Sequence, residues 1–185
     1  PEGKEIKQGA GYQVRPEDGV IFSTATDGGR LFTDQEYADF SLKFEFKLTP
    51  NSNNGIAIRA SSSGNPAYRG MEIQVLDDSG SKYHAPNKEL RPAQYHGSIY
   101  DIVPARQGHQ KPVGEWNHLE LTCDGPQVRV VLNGETVSGS DVVVKYTYAG
   151  DANLNGVIDG GEGYDRVWKL GAKWSTERVE FVDAG

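Results

Sequence analysis

Residues 41–48, SLKFEFKL, decide the fold class: Leu42, Phe44, Phe46 and Leu48 alternate with Ser41, Lys43, Glu45 and Lys47. A period of two puts the apolar side chains on one side of an extended chain and the polar ones on the other, the pattern of a strand with one buried and one solvated face. The same reading extends in both directions. GVIFST (19–24), GIAIRA (55–60), MEIQVL (71–76), HLELTC (118–123), QVRVVLNG (127–134) and VVVKYTY (142–148) read as further strands, separated by turn residues drawn from 23 glycines and nine prolines. No apolar pattern of helical period precedes residue 160 or so, and the chain is expected to be all-β.

A length of 185 residues suits a single β-sandwich domain over 1–185, with room for a small appendage. The balance of 19 basic against 26 acidic residues, a formal charge of −7, disfavours nucleic acid and anionic membrane surfaces, which both call for clustered Lys and Arg. Apolar runs are only a few residues long, so no membrane insertion is expected. Residues 1–8, PEGKEIKQ, lack the apolar centre of a secretory signal, as a mature chain with its signal removed would. The single Cys123 alternates with Leu119 and Leu121 and is expected to point inward as a small hydrophobe.

Two strands differ from SLKFEFKL in what their second face carries. With Ile56 and Ile58, and Met71, Ile73 and Val75, turned to the core, Ala57 and Arg59 on one strand and Glu72 and Gln74 on the other face away from it. If the strands are neighbours, that face is either a wet surface with an ion pair of little worth or the floor of a sugar-binding groove. Residues 77–117 follow, with little strand pattern beyond GSIYDIV. They hold Tyr83, Tyr95, Tyr100, Trp116 and the histidines His84, His96 and His109. Aromatic rings stack on sugar C–H faces while polar side chains bind hydroxyls, so these loops favour the groove.

The blocks LFTDQEYADFSLKFEFKLTPNSNNGIAIRA, YRGMEIQVLDD, GSIYDIVPA and PVGEWNHLELTCDGPQVRVVLNGETV, with their NxGIxxR, EIQxLDD, GxIYD and GEWNxxE patterns, cover roughly residues 12–137. In order and spacing they resemble the bacterial 3-keto-disaccharide hydrolase family. The resemblance implies a two-sheet antiparallel jelly-roll sandwich of the concanavalin A-like lectin/glucanase type, and cleavage of the glycosidic bond of 3-keto-glycosides. A 3-keto group acidifies the proton on C2, so the chemistry calls for a base, an acid for the leaving oxygen and a polariser for the ketone. Glu72 or His84 is a candidate base, and His96 or Tyr100 a candidate acid or sugar-orienting donor. Arg59 and Gln74 are candidates to hold the keto oxygen or hydroxyls, with Asn54, Tyr83 and Trp116 as further substrate contacts. MEIQVLDD is also similar to the paired-acid strand of laminarinase-type hydrolases, with Glu72, Gln74 and Asp77 at the signature positions; Asp77 joins the Glu72 face only if the strand bulges.

The family pattern fades after NGETV, and TERVEFVDA (176–184) is a remnant of its last strand. Residues 151–162, DANLNGVIDGGE, match the twelve-residue calcium loop D-x-[DN]-x-[DN]-G-x5-E. Asp151, Asn153 and Asn155 would supply side-chain oxygens, Gly156 the bend, Val157 its carbonyl, Asp159 a direct or water-mediated contact, and Glu162 the bidentate closure. The alternative is an acidic Asn-Gly hairpin that needs no metal. The surrounding VVVKYTYAGDANLNGVIDGGE resembles dockerin-like repeats, and residues 149–170 are expected to be a calcium-loop-like or short helical insertion or appendage. A structural calcium, and no organic cofactor, is expected, with a secreted, periplasmic or cell-surface location. Together these readings point to a carbohydrate-active enzyme with a carbohydrate partner. The alternatives are a non-catalytic lectin-like module on the same fold, or a structural or adhesion domain of a larger envelope protein.

Overall fold

The computed structural model describes residues 11–24, 30–60, 70–138 and 178–181, the last segment as backbone. The expected strand at 142–148, the calcium loop at 151–162 and the appendage at 149–170 lie outside the described residues. Nine strands follow in order among the described residues: β1 (Tyr12–Arg15), β2 (Val20–Ser23), β3 (Phe40–Leu48), β4 (Asn53–Ile58), β5 (Met71–Leu76), β6 (Trp116–Asp124), β7 (Gln127–Leu132), β8 (Glu135–Ser138) and β9 (Arg178–Phe181). Among the described residues the only helical pieces are two single 3₁₀ turns, Ser81–Tyr83 and Pro92–Gln94.

SLKFEFKL falls in β3 and pairs antiparallel with β6, Phe44 opposite Leu119 and Leu42 opposite Leu121. On the inner face Phe44, Phe46 and Leu48 join Leu119, Leu121 and Cys123 of β6 and Val128, Val130 and Leu132 of β7 in one buried cluster. The opposite face carries Lys43 and Glu120, an ion pair at 2.8 Å. Burial of each large apolar side chain here contributes about 1.5–3 kcal/mol, so the alternation accounts for which way the strand faces.

The larger sheet runs β1-β2-β9-β3-β6-β7-β8, and β4 with β5 forms the second. The four-residue strands β1 and β8 are too short to show an alternation in the sequence. The fold is the expected two-sheet sandwich of jelly-roll character, with one difference: β9 pairs parallel with both β2 and β3. Parallel pairing requires a long crossover, and the chain between β3 and β9 supplies one.

The smaller sheet closes the core from the other side with Ile58, Met71, Ile73 and Val75. Its register sets Ala57 opposite Glu72, Gly55 opposite Gln74 and Ile56 opposite Ile73. The far edge of β5 is also paired. Gln74 N–H donates to Ser98 O and Gly97 N–H to Gln74 O, both at 2.9 Å, and Tyr100 N–H donates to Glu72 O at 2.8 Å. With the Ile73–Ile99 bridge these bonds make residues 97–100 a third rung of the sheet, within the GSIYDIV stretch that already looked strand-like. Ile99 enters the core, and alternation turns Ser98 and Tyr100 to the side of Gln74 and Glu72.

Candidate active site

Glu72 is the second residue of β5, on the face turned away from the core and half-buried, and burial holds its carboxyl above the ordinary glutamate value. The reason it fits lies across the ladder. A β-carbon built on Gly55 would fall inside the Glu72 carboxyl, so the missing side chain at Gly55 is the space the acid occupies. Tyr100 is the next neighbour on the other edge, and Gln94 Nε2 donates to its hydroxyl at 3.1 Å. A carboxyl destabilised as its anion by burial, on the sheet face that Tyr100 shares, is equipped to take and return a proton. Gln74 shares this face but is only 3% exposed, so it forms the floor of the site more than its rim.

The other candidate residues are distributed elsewhere. His96 is 4% exposed and in the core: its ring lies 5.3 Å from that of Phe46, and its Nδ1 accepts the Leu76 N–H at 3.1 Å. Burial lowers its pKa to about 4. That ring does not stand with Glu72.

Asp77 does not bulge outward to join Glu72. It is 2% exposed, and its carboxylate accepts the Asn51 N–H at 2.7 Å and the Ser79 hydroxyl at 2.6 Å, tying the turn before β4 to the turn after β5. Strand alternation, unbroken here, turns it inward.

Arg59 leaves the Glu72 face because β4 ends at Ile58 and Arg59 takes a left-handed φ of 51°. Its guanidinium donates to Gly125 O in the β6–β7 turn of the other sheet. Asn54 alternates with Gly55 and so shares the face of Ile56 and Ile58; it accepts the Gly55 N–H at 2.9 Å and reaches the Tyr12 hydroxyl at 3.5 Å. Trp116 opens β6 opposite Lys47 on the outer face of the large sheet, with Lys47 Nζ 5.1 Å from its ring centroid.

Tyr83 and His84 lie at the 3₁₀ turn after β5. The Tyr83 hydroxyl donates to Asn51 O at 3.3 Å. His84 is exposed, and its Nε2 lies 2.9 Å from Asp78 O, an acceptor only, so Nε2 is the donor.

Two residues of interest carried weak signals in the sequence. Gly55 lies within NxGIxxR, where it reads as a turn residue until its partner strand is known. Asp78 falls on the Glu72 side by simple alternation; its carboxyl accepts the backbone N–H of His96, and burial raises its pKa. It borders a depression of about 380 Å³ with Ser79, Gln107, Gln110 and Lys111. Glu72 is not among the residues that line that depression.

A sequence profile of the 3-keto-alpha-glucoside-1,2-lyase-like domain matches residues 2–163. The chain belongs to this family. It is 31% identical over 126 residues to the 3-keto-disaccharide hydrolase of Bacteroides thetaiotaomicron, an alignment covering 62% of this chain and 40% of that protein. Among solved structures it is similar to an inferred glycosyl hydrolase from Parabacteroides distasonis, at 31% identity and a TM-score of 0.52, covering 57% of this chain and 52% of the other. A second inferred glycosyl hydrolase from that organism, at 24% identity and a TM-score of 0.54, covers 76% and 66% and supports the fold alone. The chain thus spans less than half of the curated relative and about half of the first structural one. Among the described residues no helix is long and apolar enough to cross a membrane.

Proposed function

We propose that this domain cleaves the glycosidic bond of 3-keto-glycosides, with Glu72 as the base. The observation that carries the reading is the half-buried Glu72 carboxyl in the space left by Gly55, its pKa raised by burial, in a member of this family. Glu72 takes the proton on C2, which the neighbouring ketone acidifies. The electron pair forms C1=C2 as the C1–O bond breaks, and the leaving oxygen gains a proton. Water then adds across C1=C2, so the net change is hydrolysis. Tyr100 is the donor best placed along the sheet to assist the leaving or keto oxygen.

The experiment is incubation with 3-keto-trehalose or a 3-keto-glucoside, following released sugar. Turnover is expected, and Glu72→Gln should lower kcat by about a hundredfold or more, the scale of a lost general base. An unchanged rate in Glu72→Gln removes Glu72 from the role. Saturable binding without turnover by the wild-type chain would mean a lectin-like module instead. A calcium ion at residues 151–162, and a location outside the cytoplasm where that ion is plentiful, belong to the same proposal and rest on the loop pattern alone.

A further inference from the structure

His96 is a buried titratable group that the chemistry proposed above leaves unused. Because Nδ1 accepts the Leu76 N–H at 3.1 Å, the neutral ring carries its proton on Nε2, and among the described residues that atom is buried with no partner. An unmet buried N–H costs about 1–3 kcal/mol. A leucine would fill the same space beside Phe46 without that cost, so packing by itself does not account for an imidazole here. The bond to Leu76 does.

That bond joins two segments. Leu76 is the last residue of β5, and His96 opens the strip whose backbone pairs with the far edge of β5 at Gln74 and Glu72. The Asp78 carboxyl takes the His96 backbone N–H from the turn beyond. The ring therefore clamps the end of a short ladder whose last rung is Tyr100 N–H to Glu72 O at 2.8 Å. A slip of one residue along that ladder would turn Tyr100 toward the core and away from the Glu72 side. So short a strip has few backbone bonds with which to resist one.

We propose that His96 is a positioning residue: by accepting the Leu76 N–H, its ring fixes the register of the 96–100 strip on β5 and holds Tyr100 beside Glu72. Its effect on turnover rests on the function proposed above; the positioning itself does not.

The test uses the whole chain. In ¹⁵N-labelled wild-type protein, Nδ1 of His96 should be the unprotonated ring nitrogen and show nitrogen–nitrogen coupling to the Leu76 amide. A proton on Nδ1, or no coupling, overturns the proposal. His96→Leu keeps the volume and removes the acceptor. Amide exchange at Gly97 and Tyr100 should then quicken by about tenfold or more, while the β3–β6 ladder keeps its protection. His96→Asn, whose Oδ1 stands where Nδ1 stood, should recover part of the lost protection. Wild-type protection in His96→Leu, or no recovery in His96→Asn, overturns the proposal; if His96→Leu does not fold, the wild-type coupling decides. On a 3-keto-glucoside the kcat of His96→Leu should fall about tenfold with KM little changed, the mark of a misplaced group. A wild-type chain without turnover sinks the catalytic reading, and the coupling and exchange results still judge the positioning.

Discussion

At the scale of single residues, Glu72 and Gly55 form one unit. In Gly55→Ala the new methyl group would collide with the Glu72 carboxyl and push it toward solvent. Turnover is expected to fall by about tenfold, since a small displacement of a reacting group is expensive. The pH of half-maximal activity should move down, because a better-solvated carboxyl returns toward its ordinary value; an unmoved pH profile would show that Gly55 does not shape the acid's surroundings. His96 makes a separate prediction. Its folded pKa, about 4, lies below the ordinary 6.5, so between those values the unfolded chain binds a proton that the folded chain refuses. The contribution of His96 to stability is therefore complete above pH 6.5 and falls as the pH drops toward 4, by up to roughly 1.4 kcal/mol per unit. Glu72 works in the opposite sense in its own window: its raised pKa favours the neutral acid, so its ionisation with rising pH costs stability. Urea midpoints between pH 4 and 7 for wild type and His96→Asn measure the histidine term, which should shrink in the variant.

At the scale of elements, the turns at the ends of β4 and β5 hold the site in place. Asp77 ties them through the Asn51 N–H and the Ser79 hydroxyl, and its own N–H donates to Ser52 O at 3.0 Å. Asp77→Ala strands the Asn51 N–H and should destabilise the fold by about 1–3 kcal/mol. Saturating 3-keto-glucoside should still be turned over by the folded fraction. Denaturant unfolding measures the first effect and kcat the second; a kcat loss as deep as that of Glu72→Gln would return Asp77 to the chemistry. Strand β9, slotted parallel between β2 and β3, belongs to the same scale. Its pairing joins chain segments more than a hundred residues apart, and truncation before Arg178 is a natural probe of how far the large sheet depends on it.

At the scale of the whole molecule, the loop pattern at 151–162 predicts a linkage between calcium and stability. Calcium added after chelation should raise the thermal midpoint, by an amount equivalent to about 2.7 kcal/mol at a hundredfold excess over Kd. Glu162→Ala should remove most of that rise. Indifference of the wild-type midpoint to calcium would favour the hairpin reading of the same residues. The alignment with the curated relative covers 40% of that protein, so the shared segment is less than half of it.

The sequence by itself determined the strands and their buried faces, because burial on one face writes a period of two that SLKFEFKL, MEIQVL and HLELTC all show, and side-chain direction in a strand follows from chain geometry; the two-sheet sandwich was what the family resemblance implied. It also placed Glu72 and Gln74 on the face away from the core. The tertiary structure decided what that face contains. Arg59 left it because a single left-handed residue ends the alternation, while Trp116 belongs to the other sheet and His96 lies behind the strand, both set by pairing between distant segments. Gly55 acquired its meaning only from the register that sets β4 against β5, since the room made by an absent side chain is defined by the residue that fills it.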